Sequence, residues 1–378
     1  MSVLSFRRTL VAAAAVLLTL GITAPASGAP ARPPTDDDLR AALRGVVAAG
    51  ASGVSLRVDD GRTTTRLAAG ASRLDPPVPL RPGAKLRVGS ITKSFIATVV
   101  LQLAGEHRLD LDDTVERWVP GLVPDGDHIT LRHLLNHTSG LFDLLDDQAF
   151  LPGVLADPLR EYTPRELIAI ATAHPAEFAP GTDWAYSNTN YLALGLVVER
   201  VTQQPIRTVV NDRIVRPLGL HDTSLPARSP EIPGYHARGY LPPTLTGGGY
   251  VDFTRLSPTA LGSAGALISS PDDLRTFYRA LLSGHLLPPA QLAEMKRTVE
   301  VEPGYAYGLG LYTKVTPCGR IWGHDGNVPG FETTAWNDET GRRGFVLGIP
   351  TQPDAAISTA QDTATTVAAC RMLGRPVP

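Results

Sequence analysis

Long apolar runs are missing from this 378-residue chain: the stretch Thr9 to Leu20 falls short of the roughly 20 residues a helix needs to cross a bilayer, and nothing near the C-terminus is longer. Arg7-Arg8 precede that stretch, and the small residues Ala26-Ser27-Gly28 follow it. This order reads as an export signal cleaved before Ala29, so a secreted, soluble protein is expected. Arg7-Arg8-Thr9-Leu10-Val11 also fits a twin-arginine signal, and the export route stays open. Charge of one sign is missing too. The formal net charge is −2 and falls to −4 once Arg7 and Arg8 are removed, which leaves no basic stripe for nucleic acid or an anionic membrane surface. Cysteine is scarce, with Cys318 and Cys370 alone. In an exported protein an even pair points to one disulfide, while two buried free thiols are the competing reading. There is no internal repeat and no low-complexity tract.

With 43% hydrophobic and 19% charged residues, the chain has an ordinary globular balance, long enough for one large domain or two lobes. After a Pro/Ala leader (29–36), residues 36–49 carry acidic residues first and then apolar ones at helical spacing. Val54 to Val58 and Thr63 to Ala69 alternate on either side of Asp59-Asp60-Gly61, a hairpin pattern. Helical patterns follow over 90–105, 130–137, 164–173, 190–202 and 271–283, with long Pro/Gly-rich loops over 224–258. Strands return over 308–313, 320–323, 332–336 and 344–349, and a last helix is expected over 355–373. Strands at both ends of a helical middle predict an α/β (α+β) architecture, an antiparallel sheet covered by terminal helices with an all-helical lobe inserted.

What the chain does have is Ser90-Ile91-Thr92-Lys93 running into the apolar stretch Ile96 to Leu103. Positions i and i+3 share a helix face, so the Lys93 amine stands beside the Ser90 hydroxyl. A serine hydroxyl is a poor nucleophile near neutral pH, and a neighbouring amine can take its proton. Only four lysines occur (Lys85, Lys93, Lys296, Lys314), so this spacing by itself arises by chance about once in five. Tyr186-Ser187-Asn188 adds a phenol that can relay a proton when cations lower its pKa, and an amide that can hold a substrate carbonyl. The bland alternative is a packed loop aromatic with Asn188 capping the next helix. His324-Asp325-Gly326 on a strand can line a cleft, with Gly326 admitting a substrate backbone, whereas His324 alone is as often structural as functional. Asp325 departs from strand alternation only if it faces the cleft; on the opposite face an arginine partner is expected.

Other constellations lack a necessary part. His133 and His137 have i, i+4 spacing but no Glu follows His133 and no third metal ligand is evident, so no metal is expected. Ser263 has Leu261 where a nucleophile elbow needs glycine. Asp110, Asp112 and Asp113 lack the glycine and distal glutamate of a calcium loop.

In this order the three segments resemble the serine β-lactamase and penicillin-binding-protein superfamily, whose pattern is Ser-x-x-Lys, Tyr-x-Asn, then Lys-Thr-Gly or His-x-Gly. His133 to Leu141, Pro217 to Thr223 and Gly262 to Leu267 are similar to that family as well. The resemblance implies one catalytic domain over 37–378, with a sheet part (37–85 and 265–378), a helical lobe (86–264) and the signal at 1–28. It implies Ser90 as nucleophile, Lys93 and Tyr186 as proton carriers, Asn188, His324 and Gly326 as substrate-binding positions, and the backbone N–H groups of Ser90 and Asn327 as an oxyanion hole, with no cofactor. The expected activity is that of a secreted D-alanyl-D-alanine carboxypeptidase. A β-lactamase, an esterase or D-aminopeptidase of the same fold, and a non-catalytic penicillin-binding or wall protein are the alternatives. A monomer acting on a small peptide, β-lactam or ester is expected.

Overall fold

The computed structural model describes residues 32–378, so the expected signal and the start of the leader lie outside the described residues. Nine strands form one sheet in the order Val78–Pro79, Thr64–Arg73, Gly53–Asp59, Gly344–Ile349, Phe331–Asn337, Gly319–Val328, Tyr312–Thr316, Tyr305–Tyr307 and Val299–Glu302. Every neighbouring pair is antiparallel. The chemistry the family resemblance implies therefore rests on a mixed α/β frame of the expected kind.

Alternation along these strands sends one set of side chains to each face. Leu56, Leu347, Ile349 and Trp336 join Leu39, Leu43 and Val46 of the Asp36–Ala48 helix and Ile357 and Ala368 of the Ala355–Leu373 helix in one buried cluster. The first of these helices starts at Thr35, whose hydroxyl caps the Asp38 N–H while the Asp38 side chain returns to the Thr35 backbone. On the other face Trp322, Val328 and Val346 pack with the helix-rich segment in a second cluster. At its centre lies the Thr92–Gly105 helix, apolar nearly all round because it is enclosed by sheet and helices together. Leu86–Arg87 pairs with Ile268–Ser269, so the chain enters and leaves this segment side by side. Among the described residues no helix is long and apolar enough to cross a membrane.

Two sequence expectations change. The strand anticipated over 308–313 is two strands, Tyr305–Tyr307 and Tyr312–Thr316, joined by a tight connection. Gly310 there has φ +69, and a Cβ on it would stand 2.5 Å from Ala97 Cβ, so the chain dives onto the central helix instead of extending. The 224–258 loops contain a two-stranded ladder, Tyr240–Leu241 with Val251–Asp252, and short helices at Phe150–Ala156, Ile206–Val210 and Pro289–Met295 carry too few residues for a clear period.

The Tyr312–Thr316 strand pairs with the Gly319–Val328 strand only as far as Gly323, whereas Phe331–Asn337 accompanies it to Val328. Residues 324–328 therefore present an open strand edge on one side, and the Val88–Ser90 backbone packs against this stretch at Gly326. Cys318, just before this strand, is paired with Cys370 of the last helix in a disulfide with Cα atoms 5.2 Å apart.

Candidate active site

Ser90 lies in the 3-10 turn Gly89–Ile91 that opens the Thr92–Gly105 helix. Thr92 fixes this turn, donating to the Gly89 carbonyl at 2.6 Å and accepting from the Leu267 N–H at 3.0 Å. Two glycines let the turn press against the Gly319–Val328 strand. A Cβ on Gly326 would stand 2.0 Å from the Val88 carbonyl oxygen and 2.7 Å from the Ser90 nitrogen, and one on Gly89 (φ +52) 2.8 Å from Asn327 N. The backbone that Gly326 admits is thus the protein's own, at Val88–Ser90, and the Ser90 and Asn327 N–H groups are brought into one neighbourhood.

The Lys93 amine is fully buried, 2.9 Å from Ser90 Oγ, 2.7 Å from Asn188 Oδ1 and 2.8 Å from the Ala264 carbonyl oxygen. It also stands 4.9 Å from the Tyr186 ring centre and 5.6 Å from that of Tyr191. Burial pulls its pKa down to about 7, against the attraction of Asp143 and Asp325, which favour the charged form. The same three contacts serve both protonation states. As an ammonium it donates to all three oxygens, and as a neutral amine it donates to Asn188 and Ala264 and accepts from the Ser90 hydroxyl.

Tyr186 departs from the expectation that nearby cations make it acidic. Burial pushes its hydroxyl well above the ordinary tyrosine value, a hydrogen bond with Ser90 opposes this, and the negative charges of Asp325 and Asp143 push it higher still. It is a neutral phenol, suited to passing a proton on and not to serving as a phenolate base. Its ring lies 4.3 Å from that of His137, in an aromatic cage with Tyr307 and the partly exposed Trp184, whose ring is 6.2 Å from Tyr307.

Asn188 opens the Asn188–Thr202 helix. Its Nδ2 donates to both carboxylate oxygens of Asp143, at 3.1 and 3.0 Å, and its backbone N–H donates to Asp143 Oδ1 at 3.0 Å. The network sets the amide's direction, carbonyl toward Lys93 and nitrogen toward the carboxylate. The two carboxylate oxygens lie on one side of Nδ2, so the carboxylate engages one amide hydrogen in a bifurcated bond. Asp143 itself was missed: it lies two residues beyond the His133–Leu141 stretch, and the available signal was an Asp ahead of Leu144-Leu145, the cap it forms on a short 3-10 turn.

His324 is buried, with Nε2 3.1 Å from the Tyr307 hydroxyl and Nδ1 against the Asp325 carbonyl. Nδ1 therefore donates and Nε2 accepts, and burial, reinforced by Lys93, holds the pKa down at about 3. The residue expected to line the cleft is here a neutral ring packed against Tyr307 and Tyr312. The Asp325 carboxylate lies 3.8 Å from His324 Nδ1 with 45% of its side chain exposed, and the cations that act on it are Lys314 and Lys93, not the expected arginine. Asn327 is exposed, its Nδ2 donating to Glu332 at 2.7 Å and its Oδ1 accepting from Gln352 at 3.1 Å. His133 and His137 do not meet on one helix face: His133 accepts from the Thr130 N–H at 3.3 Å, and His137, in the left-handed conformation, accepts from the Ser187 N–H at 3.1 Å.

Residues 39–366 match the family model described as Beta-lactamase. A solved D-stereospecific amidohydrolase from Streptomyces sp. superposes with a TM-score of 0.80 at 38% identity, over 86% of this chain and 98% of its own. Esterase EstB of Burkholderia gladioli is 30% identical over 289 residues, 68% of this chain and 73% of the esterase. Penicillin-binding protein 4* of Bacillus subtilis is 28% identical over 283 residues, which cover 68% of this chain and 58% of that longer protein.

Proposed function

From membership of the β-lactamase and penicillin-binding-protein family of serine hydrolases, to which this chain belongs, we propose that it cleaves amides or esters of short D-amino-acid derivatives through an acyl-enzyme on Ser90. The observation that carries this reading is the buried Lys93 amine 2.9 Å from Ser90 Oγ with a pKa brought down to about 7. Neutral Lys93 takes the hydroxyl proton as Ser90 Oγ bonds to the substrate carbonyl carbon. The Ser90 and Asn327 N–H groups receive the developing negative charge, where losing one such donor costs about 2.7 to 4 kcal/mol of barrier. The bond to the leaving nitrogen or oxygen then breaks as the proton reaches it through Lys93 or Tyr186. Water, activated by the same amine, releases the acid and restores Ser90.

Substrate choice follows from charge. A carboxypeptidase must accommodate a free terminal carboxylate, but His324 is held neutral and the next residue along the edge is the Asp325 carboxylate. This favours uncharged leaving groups over the D-alanyl-D-alanine carboxypeptidase expected from the resemblance, and it agrees with the similarity to an amidohydrolase and an esterase. The test is to offer the protein D-alanine amide, its L enantiomer and D-alanyl-D-alanine, following product release and intact mass. Faster turnover of the D-amide, with a transient adduct absent from Ser90→Ala, is the expected result. An adduct that persists in Ser90→Ala overturns the acyl-serine reading, and preference for the free dipeptide restores the carboxypeptidase.

A further inference from the structure

An apolar cavity of about 360 Å³ opens beside this site, between Leu145, Phe150, Val154, Leu256 and Leu261, and reaches Asn327. Three of its walls are continuous with the reacting groups. Leu145 follows Asp143 on the turn that holds Asn188, Leu261 leads into Ala264, whose carbonyl accepts from Lys93, and Asn327 abuts Gly89. Its mouth is formed by Leu151, Leu155 and Leu245, which are 38%, 41% and 57% exposed. Large side chains left in water around one opening mark a binding surface, since isolated ones would be scattered.

The direction in which a substrate lies along the open edge decides which half of it meets this cavity. Tyr186 belongs to the cage with Tyr307, and the Tyr307 hydroxyl bonds His324, so the proton path to the leaving group runs at the His324–Asp325 end. The acyl half therefore extends the other way, toward Asn327 and Val328, where the cavity begins. We propose that this cavity is the acyl-side specificity pocket and takes a medium-length aliphatic or an aromatic group attached to the scissile carbonyl. The proposal rests on the acyl-enzyme reading of Ser90. Its volume, about twelve times the roughly 30 Å³ share of a liquid water, suits a phenyl ring or a chain of several methylenes and exceeds the needs of the methyl group of alanine.

The experiment uses p-nitrophenyl acetate, butyrate, hexanoate and octanoate, reading both p-nitrophenol release and the mass of the Ser90 adduct. In the parent protein kcat/KM should rise roughly two- to fourfold per methylene until the cavity is filled. Leu151→Asp and Leu245→Asp, both at exposed positions, should each cut the hexanoate-to-acetate ratio by about tenfold or more. A flat profile in the parent, or a parental ratio in both folded variants, overturns the pocket while leaving the acyl-serine intact. Absence of any Ser90 adduct with all four esters overturns the underlying reading instead, and the pocket with it. Should one variant fold poorly by thermal melting, the other decides.

Discussion

Both carboxylate oxygens of Asp143 accept from the Asn188 side-chain nitrogen, and the carbonyl oxygen of that amide in turn accepts from Lys93 at 2.7 Å. The carboxylate thereby points the amide at the amine and supplies a negative charge that helps keep the amine protonated. Replacing it acts on both. With Asp143→Asn the ammonium form of Lys93 loses a supporting charge, its pKa falls, and the rising limb of kcat/KM against pH moves to lower pH by on the order of one unit. A pH–rate profile of the two proteins checks this, and an unmoved limb would show that Asp143 does not act on Lys93.

Lys93→Met and Tyr186→Phe should each slow acylation by at least about 100-fold, the scale of a lost proton-transfer partner. They should differ in one respect. Because Tyr186 is a neutral phenol and Lys93 is the group poised near neutrality, Tyr186→Phe keeps the parental pH dependence of its residual activity, whereas Lys93→Met loses the limb near pH 7. Single-turnover acylation by mass spectrometry across pH separates them. Both should fold, since each substitution removes polar atoms from a largely enclosed place.

Asp325→Thr should raise kcat/KM selectively for substrates that end in a free carboxylate. Two like charges a few ångströms apart oppose each other by about 1 to 4 kcal/mol depending on the local dielectric, so a gain of roughly fivefold or more is expected for D-alanyl-D-alanine over its C-terminal amide. Equal effects on the two would show that Asp325 does not read the leaving group's charge.

Glu332 gives stability its own pH dependence. Burial, followed by the negative charge of Asp325, raises its pKa from 4.5 to about 8. Between those values the folded chain holds a proton that the unfolded chain has released, so this stabilising contribution is complete below 4.5 and is lost as pH rises through about 8. Thermal melting should show Glu332→Gln less sensitive to pH than the parent across that window. An identical pH dependence would mean that the carboxyl is ionised and paired in the folded protein.

The parts of the site legible in the sequence were those set by local geometry. Ser90 and Lys93 meet because one helical turn brings i and i+3 together, and the hairpin of Gly53–Asp59 with Thr64–Arg73 follows from alternation around Gly61. What escaped depends on distant chain. His324 reads as a cleft-lining residue whose charge is open, yet the fold buries it against Tyr307, and that burial together with Lys93 holds it neutral. Asp143 reads as one acid in a loop until the fold sets it under Asn188. The break in the 308–313 strand arises where Gly310 meets the central helix, a contact that no strand period encodes.

Trp184 stands beside His137 and Tyr307, with ring centres 6.2 Å from each, while Trp322 and Trp336 are buried in the two cores. The aromatic cage around Tyr186 is therefore also an optical environment. Acylation of Ser90 would place a new group next to Tyr186 and change the polarity and quenching partners that this indole senses. The protein thus carries an intrinsic fluorophore at the rim of its own chemistry, and a stopped-flow emission trace that vanishes in Trp184→Phe would time the filling and emptying of the site without any chromogenic substrate.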